Sequence, residues 1–338
     1  MHISVYLRFC AGAFELGLTV SAARTRVHGA NKHKRCGICD RAANTAYAHG
    51  SVFKRLTQAV KNFGRELRHL VKEQNAVMRQ RHKPRHAFGQ RIIHVLTANG
   101  IGSEFVTWSD DKKTGFMLKS RVSEGDPDIF YFRAGSAAST LSVEDVEKIQ
   151  FSEYTHLHVT GILPALSDST REAVDLMFDK AREAGLFISF DPNLRPQLWP
   201  SQDVMVQTLN RLAAKADMVL PGTAEGKILM GSDDPKEINA FYLQNGAKAV
   251  VTKCGGDGAF VSTKDEEYMV PGFKVETVVD TVGAGDGFAA GVITALMEGL
   301  PLKEAVRRGT AIGAIQVMSR GDNEGLPYPE QLKAFMER

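Results

Sequence analysis

The segment Asp280-Thr281-Val282-Gly283-Ala284-Gly285-Asp286-Gly287 places bare backbone positions and a carboxylate at the head of an apolar stretch that reads as a helix through Leu296. Glycines at 283 and 285 remove the side chains that would keep an anion away. The start of a helix behind them offers unpaired N–H groups and the positive end of a dipole. Such a loop is an anion hole, and a γ-phosphoryl group settling there would lie beside Asp286, a carboxylate suited to receive the proton of an attacking hydroxyl. Two other readings compete. Asp286 could cap the helix, since Asp commonly satisfies N-terminal amides. Gly285, Gly287 and Ala290 also satisfy the dinucleotide fingerprint G-x-G-x-x-A. That fingerprint belongs in an early βα turn with an acidic residue after the next strand, whereas this one lies near the C-terminus and is followed by two helices. No G-x-x-x-x-G-K-[ST] occurs in the chain, which excludes the P-loop kinases.

The elements that must hold this loop are legible upstream. Residues 92–96 read as the apolar face of a helix ending at Gly100, 105–108 as a strand, and 112–115 as a turn before the apolar run 116–118. Strands and helices then alternate: strand 156–159, helix 168–184, strand 186–190, helix 202–214, strand 218–220, helix 235–245. Strands at 249–252, 259–262 and 267–270 follow, then two apolar helices from about Ala284 and Leu302. Short β-branched strands between amphipathic helices predict a mostly parallel sheet covered on both faces. Ligands of such sheets bind beyond the carboxyl ends of the strands.

Composition divides the chain. Overall, 43% hydrophobic and 24% charged residues with a net charge of +3 describe an ordinary globular protein, yet 17 of the 42 Lys and Arg and only 4 of the 39 Asp and Glu fall in the first 90 residues. Cys10, Cys36 and Cys39 lie there too, leaving Cys254 elsewhere. His33, Cys36 and Cys39 could begin a zinc site, but no second Cys/His pair follows at a suitable spacing. So few cysteines in the remainder give no disulfide framework and suit a reducing cytoplasm. The opening apolar stretch lacks a basic n-region and contains Arg8 and Glu15, which argues against a secretory signal, and no apolar run is long enough to span a bilayer. Within residues 1–86 only 52–77 is periodic, with Phe53, Leu56, Val60, Phe63, Leu67 and Leu70 at helical spacing. Arg79, Arg81, Lys83 and Arg85 read as a solvated basic face rather than a nucleic-acid or membrane contact.

The string DTVGAGDGF closely resembles the C-terminal signature of the PfkB (ribokinase-like) carbohydrate kinases, and further segments resemble their 2-keto-3-deoxygluconate kinase branch. These are Tyr131-Phe132-Arg133, SAAST at 136–140, HLHVTG at 156–161, DPNLRPQLWP at 191–200, PGTAEG at 221–226 and GDNEGLP at 321–327. The resemblance covers about three quarters of the chain and implies a three-layer α/β/α sandwich over 87–338 that phosphorylates a sugar-acid hydroxyl with ATP and Mg2+. It implies Asp286 as general base, with Gly283, Ala284 and Gly285 as the anion hole. Tyr131, Arg133 and Arg195 would contact the sugar acid, where guanidinium groups suit a carboxylate, an ordinary ion pair being the alternative. Lys253, Gly255, Gly256 and Gly258 form the loop that would meet the nucleotide, although such glycines equally make a hairpin turn. Glu225 would act on magnesium through water or serve as a plain helix-start glutamate; the family's Asn position before it is Gly222. The family's first strand, its G-G-x-x-x-N sugar segment and its lid strands have no clear counterpart in 1–86, where Arg41 to Ala46 is a faint echo. That segment is expected to be irregular or to hold one or two helices, and to be foreign to the fold, as an out-of-frame or replaced stretch would be. Four functions stay open: a sugar-acid kinase, a kinase of a neutral sugar such as ribose or fructose, an inactive nucleotide-binding remnant, and a basic nucleic-acid-binding protein using its N-terminal segment. The partners implied are ATP and a sugar acid, with no nucleic acid or membrane; self-association is left open.

Overall fold

A computed structural model describes residues 3–9, 15–20, 87–119, 129–319 and 325–338. The periodic stretch 52–77, the Cys36/Cys39 pair, the basic run 79–85 and most of GDNEGLP lie outside the described residues. The chain divides into two compact units, Met1 with Ser21–Gln90, and His2–Val20 with Arg91–Arg338. All sites discussed below belong to the second.

Six strands make the main sheet: β5 (His156–Thr160), β6 (Phe187–Asp191), β7 (Met218–Val219), β8 (Ala249–Lys253), β9 (Gly258–Thr263) and β10 (Glu267–Pro271), in the order β10-β9-β8-β7-β6-β5. From β5 to β8 every pairing is parallel, while β9 and β10 close the far side as antiparallel strands. Between the parallel strands run α3 (Asp168–Glu183), α4 (Gln202–Lys215), α5 (Thr223–Leu229) and α6 (Pro235–Gln244). After the sheet come α7 (Ala284–Met297), α8 (Leu302–Val317) and α9 (Pro329–Met336).

Alternation along the strands builds two cores. Val219 and Val250 join Ile188 and Phe190 in a core with Phe178 of α3, Leu209 and Leu212 of α4, and Ile238 and Tyr242 of α6. Their neighbours Met218, Leu220 and Val251 turn to a second core with Val261, Phe288 and Val292 of α7, and Val306 of α8. Successive strand residues point to opposite faces, so one sheet separates two helical layers. This is the three-layer sandwich that the alternation of elements predicted. Local signals set the helix ends. Ser167 Oγ accepts the amide of Thr170 at the head of α3, Lys180 and Arg182 sit in its last turn, and Ser201 caps α4 in the same way.

A smaller antiparallel sheet runs β2-β1-β3-β4, formed by β1 (Ile3–Phe9), β2 (Glu15–Val20), β3 (Phe116–Lys119) and β4 (Ile129–Phe132). Here the structure departs from the sequence reading, which expected residues 1–86 to be irregular or helical. Ile3, Val5, Leu7 and Phe9 alternate with other residues at period two, which suits a strand, and β1 pairs with both β2 and β3. The strand expected at 105–108 is a second correction. Those residues form a turn and extended coil, with Phe105, Val106 and Trp108 roughly half exposed at 46%, 42% and 52%. β propensity is realised only beside a hydrogen-bonding partner, and among the described residues no strand pairs with this stretch. The helix expected around 92–96 is α1 (Ala87–Ala98), with α2 (Val143–Glu147) a short turn later in the chain.

Candidate active site

The carboxyl ends of β6 and β8 and the N-terminus of α7 converge. α7 opens at Gly283, whose φ of 85° lies in the left-handed region that favours glycine. The amide of Ala284 turns back to Thr281 O and that of Gly287 bonds Gly283 O. The amides of Gly285 and Asp286, in the first turn between them, are too close to the helix start to find an intrahelical acceptor. Asp286 is exposed at this end, and its Oδ1 accepts Asn193 Nδ2 at 3.3 Å. Its carboxylate therefore makes a side-chain contact across the cleft rather than closing back on the helix, and no side-chain cap bond forms at Gly283.

Asn193 is held by the turn that follows β6. Its own amide donates to Asp191 Oδ1 at 3.0 Å, and its φ of 40° is the one positive value among the described non-glycine residues. Asn tolerates this conformation better than most residues, and such strain concentrates at functional sites. The other oxygen of Asp191 accepts Lys253 Nζ at 2.6 Å. Glu225 stands behind this pair, its Oε1 accepting the amide of Leu194 at 2.9 Å and its Oε2 that of Gly222 at 2.7 Å. It thus caps α5 and ties that helix to the turn bearing Asn193 and Arg195.

Burial dominates the electrostatics. It raises the Asp191 carboxyl above its ordinary value against the pull of Lys253, and it raises Glu225 in the same way. Burial pulls the Lys253 ammonium down, but Asp191 and Glu225 more than offset it, so its pKa is raised. One buried cation thereby serves a cluster of carboxylates.

The structure brings Asp286, Gly283, Ala284, Gly285, Lys253 and Glu225 together, with Arg195 next to them donating Nη1 to Leu194 O at 2.6 Å. Tyr131 and Arg133 form a separate pair at the end of β4. The guanidinium lies over the Tyr131 ring at 4.7 Å, while its Nε and Nη1 are buried without a hydrogen-bond partner among the described residues. Among the described residues no hydrogen bond or ion pair joins that pair to the Asp286 cluster. The turn Gly255–Asp257 leads into β9. Gly255 and Gly256 leave open space on the surface, whereas a Cβ on Gly258 would stand 2.1 Å from Val270 O, so Gly258 serves the hairpin. Asp191 and Asn193 were given no role from the sequence. The signal was present: an acid closing the strand Phe187–Asp191, buried from Ile188 onward, sits where a parallel sheet binds its ligands.

With this geometry in view, residues 85–329 match the family described as pfkB family carbohydrate kinase. The chain belongs to that family. It is 47% identical over 249 residues to the 2-dehydro-3-deoxygluconokinase of Bacillus subtilis (strain 168), a match covering 73% of this chain and 77% of that protein. Among solved structures, the PfkB protein from Polaromonas sp. JS666 superposes with a TM-score of 0.66 at 43% identity, over 73% of this chain and 79% of that one. A putative ribokinase II from E. coli, solved in complex with ATP and Mg2+, gives a TM-score of 0.67 at 29% identity, over 74% of this chain and 80% of that one. The chain is thus a carbohydrate kinase, and its cluster at the head of α7 lies in the matched region. No described helix of this pfkB kinase is long and apolar enough to cross a membrane.

Proposed function

We propose that this pfkB kinase transfers the γ-phosphoryl group of ATP to a hydroxyl of a sugar acid, 2-keto-3-deoxygluconate being the substrate best supported by its relatives. The observation that carries the reading is the Asp286 carboxylate, held by Asn193 beside the free amides of Gly285 and Asp286 at a glycine-started helix. The amides hold phosphate oxygens. The sugar hydroxyl attacks the γ-phosphorus while its proton passes to Asp286, and the bond to the bridging oxygen breaks with its electron pair remaining on ADP. The donor chemistry fits a magnesium ion carried in on the nucleotide phosphates, since Mg2+ keeps several waters and takes only one or two carboxylates. Glu225 would reach it through water, and the ion would neutralise phosphate charge. Gly255 and Gly256 leave the backbone open to the nucleotide.

Arg133 supports an acid as substrate. A buried guanidinium edge without an acceptor is costly, and a sugar carboxylate supplies two oxygens in matching geometry. Arg195 and Tyr131 complete the proposed sugar-acid contacts.

The test is ADP release with Mg-ATP and 2-keto-3-deoxygluconate, ribose or fructose. Asp286→Asn keeps shape and removes basicity, so turnover should fall about a hundredfold with ATP affinity nearly unchanged. Turnover within about threefold of wild type, with a stability loss near 1 kcal/mol, would instead assign Asp286 to helix capping. Equal turnover of neutral sugars would refute the acid specificity.

A further inference from the structure

Lys253 is unlike the other residues of its loop. Its neighbours Gly255 and Gly256 face outward, but the Lys253 side chain leaves the end of β8 and runs inward, ending 2.6 Å from Asp191 Oδ2. The Asp191 side chain is 2% exposed and that of Lys253 is 19% exposed, so Lys253 is the less enclosed member of the pair. It lies beside Gly285 of α7. A Cβ built there would lie 3.7 Å from Lys253 Nζ, which puts the ammonium against the first turn of the helix where the free amides are. An ammonium has three donors. Among the described residues one is taken, by Asp191, and the others have no hydrogen-bond partner.

We propose that Lys253 is a catalytic residue of the phosphoryl transfer, binding a non-bridging oxygen of the γ-phosphoryl group with a free donor while Asp191 fixes its position. This rests on the kinase reading above and adds to it a cation against the first turn of α7. In the transfer, the sugar oxygen forms the new bond to phosphorus, the hydroxyl proton goes to Asp286, and the broken bond leaves its electrons on ADP. Lys253 neither gains nor loses a proton. Its charge meets the negative charge on the transferring oxygens, in a site too shielded for water to screen it well. Asp191 stays paired throughout and keeps the ammonium from folding away. The resemblance placed Lys253 in the loop that would meet the nucleotide; the proposal gives its side chain the γ-phosphate of that nucleotide.

The competing explanation is that Lys253 only neutralises a buried Asp191. Nucleotide binding separates the two, because ADP lacks the group that Lys253 is proposed to touch. In Lys253→Met the affinity for Mg-ATP should fall about tenfold or more while that for Mg-ADP stays within about twofold, the size expected of a charge-assisted hydrogen bond. Turnover should fall further than ATP affinity, as for a contact that tightens in the transition state. Because Lys253→Met leaves a buried carboxylate unpaired and can misfold, the pair variant Lys253→Met with Asp191→Asn is measured beside it. That variant should recover thermal stability without recovering turnover or the ATP preference. Equal losses for ATP and ADP, or a pair variant with turnover restored, overturn the proposal. If the wild-type chain binds both nucleotides but phosphorylates no sugar or sugar acid, the kinase reading fails by itself, and the ATP-to-ADP affinity ratio still decides the contact of Lys253 with the γ-phosphate. If it binds neither, both readings fall.

Discussion

Asn193 offers a sharp test of how the site is assembled, because its carboxamide and its backbone do separable things. The carboxamide donates to Asp286 at 3.3 Å, and the backbone sits at φ 40° with its amide on Asp191. Asn193→Ala and Asn193→Gly both delete the first interaction. The bond is long and its acceptor is exposed, so its loss should cost about 1–2 kcal/mol of positioning, or a five- to thirtyfold fall in turnover at about 1.4 kcal/mol per decade. Stability should divide the variants. Alanine inherits a left-handed backbone that costs about 1 kcal/mol or more, whereas glycine adopts it freely and loses mainly unfolded-chain entropy. Urea denaturation should therefore place the alanine variant about 1 kcal/mol below the glycine variant, while their turnover numbers agree within about twofold. If turnover instead follows stability, with glycine near wild type, the Asn193 bond has no part in orienting Asp286.

Three further outcomes follow from other parts of the molecule. Asp217 is 2% exposed and accepts the buried amide of Ile188 at 2.8 Å beside Arg182 and Lys248, both of which can return to water; Asp217→Ala should cost about 2–3 kcal/mol in urea denaturation, mostly for the orphaned amide, with turnover unchanged. Burial holds His158 down to about 4, with Lys253 adding to the effect, while Nδ1 bonds Ser189 Oγ; protonation then favours the unfolded chain, so this stability is full above the unfolded value near 6.5 and is lost as pH falls towards 4. The loss amounts to about 3 kcal/mol by the low end, and melting temperature should already fall between pH 6.5 and 5, before most carboxylates titrate; a flat profile there would contradict the half-buried neutral imidazole. Arg133→Met removes the unpartnered guanidinium edge, so the KM for a sugar acid should rise tenfold or more with stability level or slightly higher, while a KM that does not move would remove Arg133 from the substrate pocket.

Much of the main sheet was legible because its strands are short, apolar and bounded by helices with clear caps. Ser167, Ser201 and the run Phe187–Asp191 carry their structural meaning within a few residues. Residues 105–108 and 3–9 were misjudged for a common reason. Apolar alternation says that a segment can be a strand, but a strand exists only where another chain segment presents its hydrogen bonds. Residues 3–9 pair with both β2 and β3, and 105–108 have no partner among the described residues.

The sequence by itself determined that a glycine-flanked carboxylate heads an apolar helix, and that this helix follows a series of alternating strands and helices. That was enough to point to phosphoryl transfer and to Asp286, because glycine, helix start and acid lie within one contiguous stretch. Tertiary structure alone decided what surrounds it. Asp191 and Asn193 come from the end of β6 and the turn after it, Glu225 from α5 and Lys253 from the end of β8, and the bonds that tie Asp191 to Lys253 and Asn193 to Asp286 join residues 62 and 93 positions apart in the chain. Residues that distant carry no mutual spacing in one sequence, so only the parallel sheet, which gathers the carboxyl ends of its strands on one side, could show that Lys253 reaches Asp191 and that Asn193 holds Asp286.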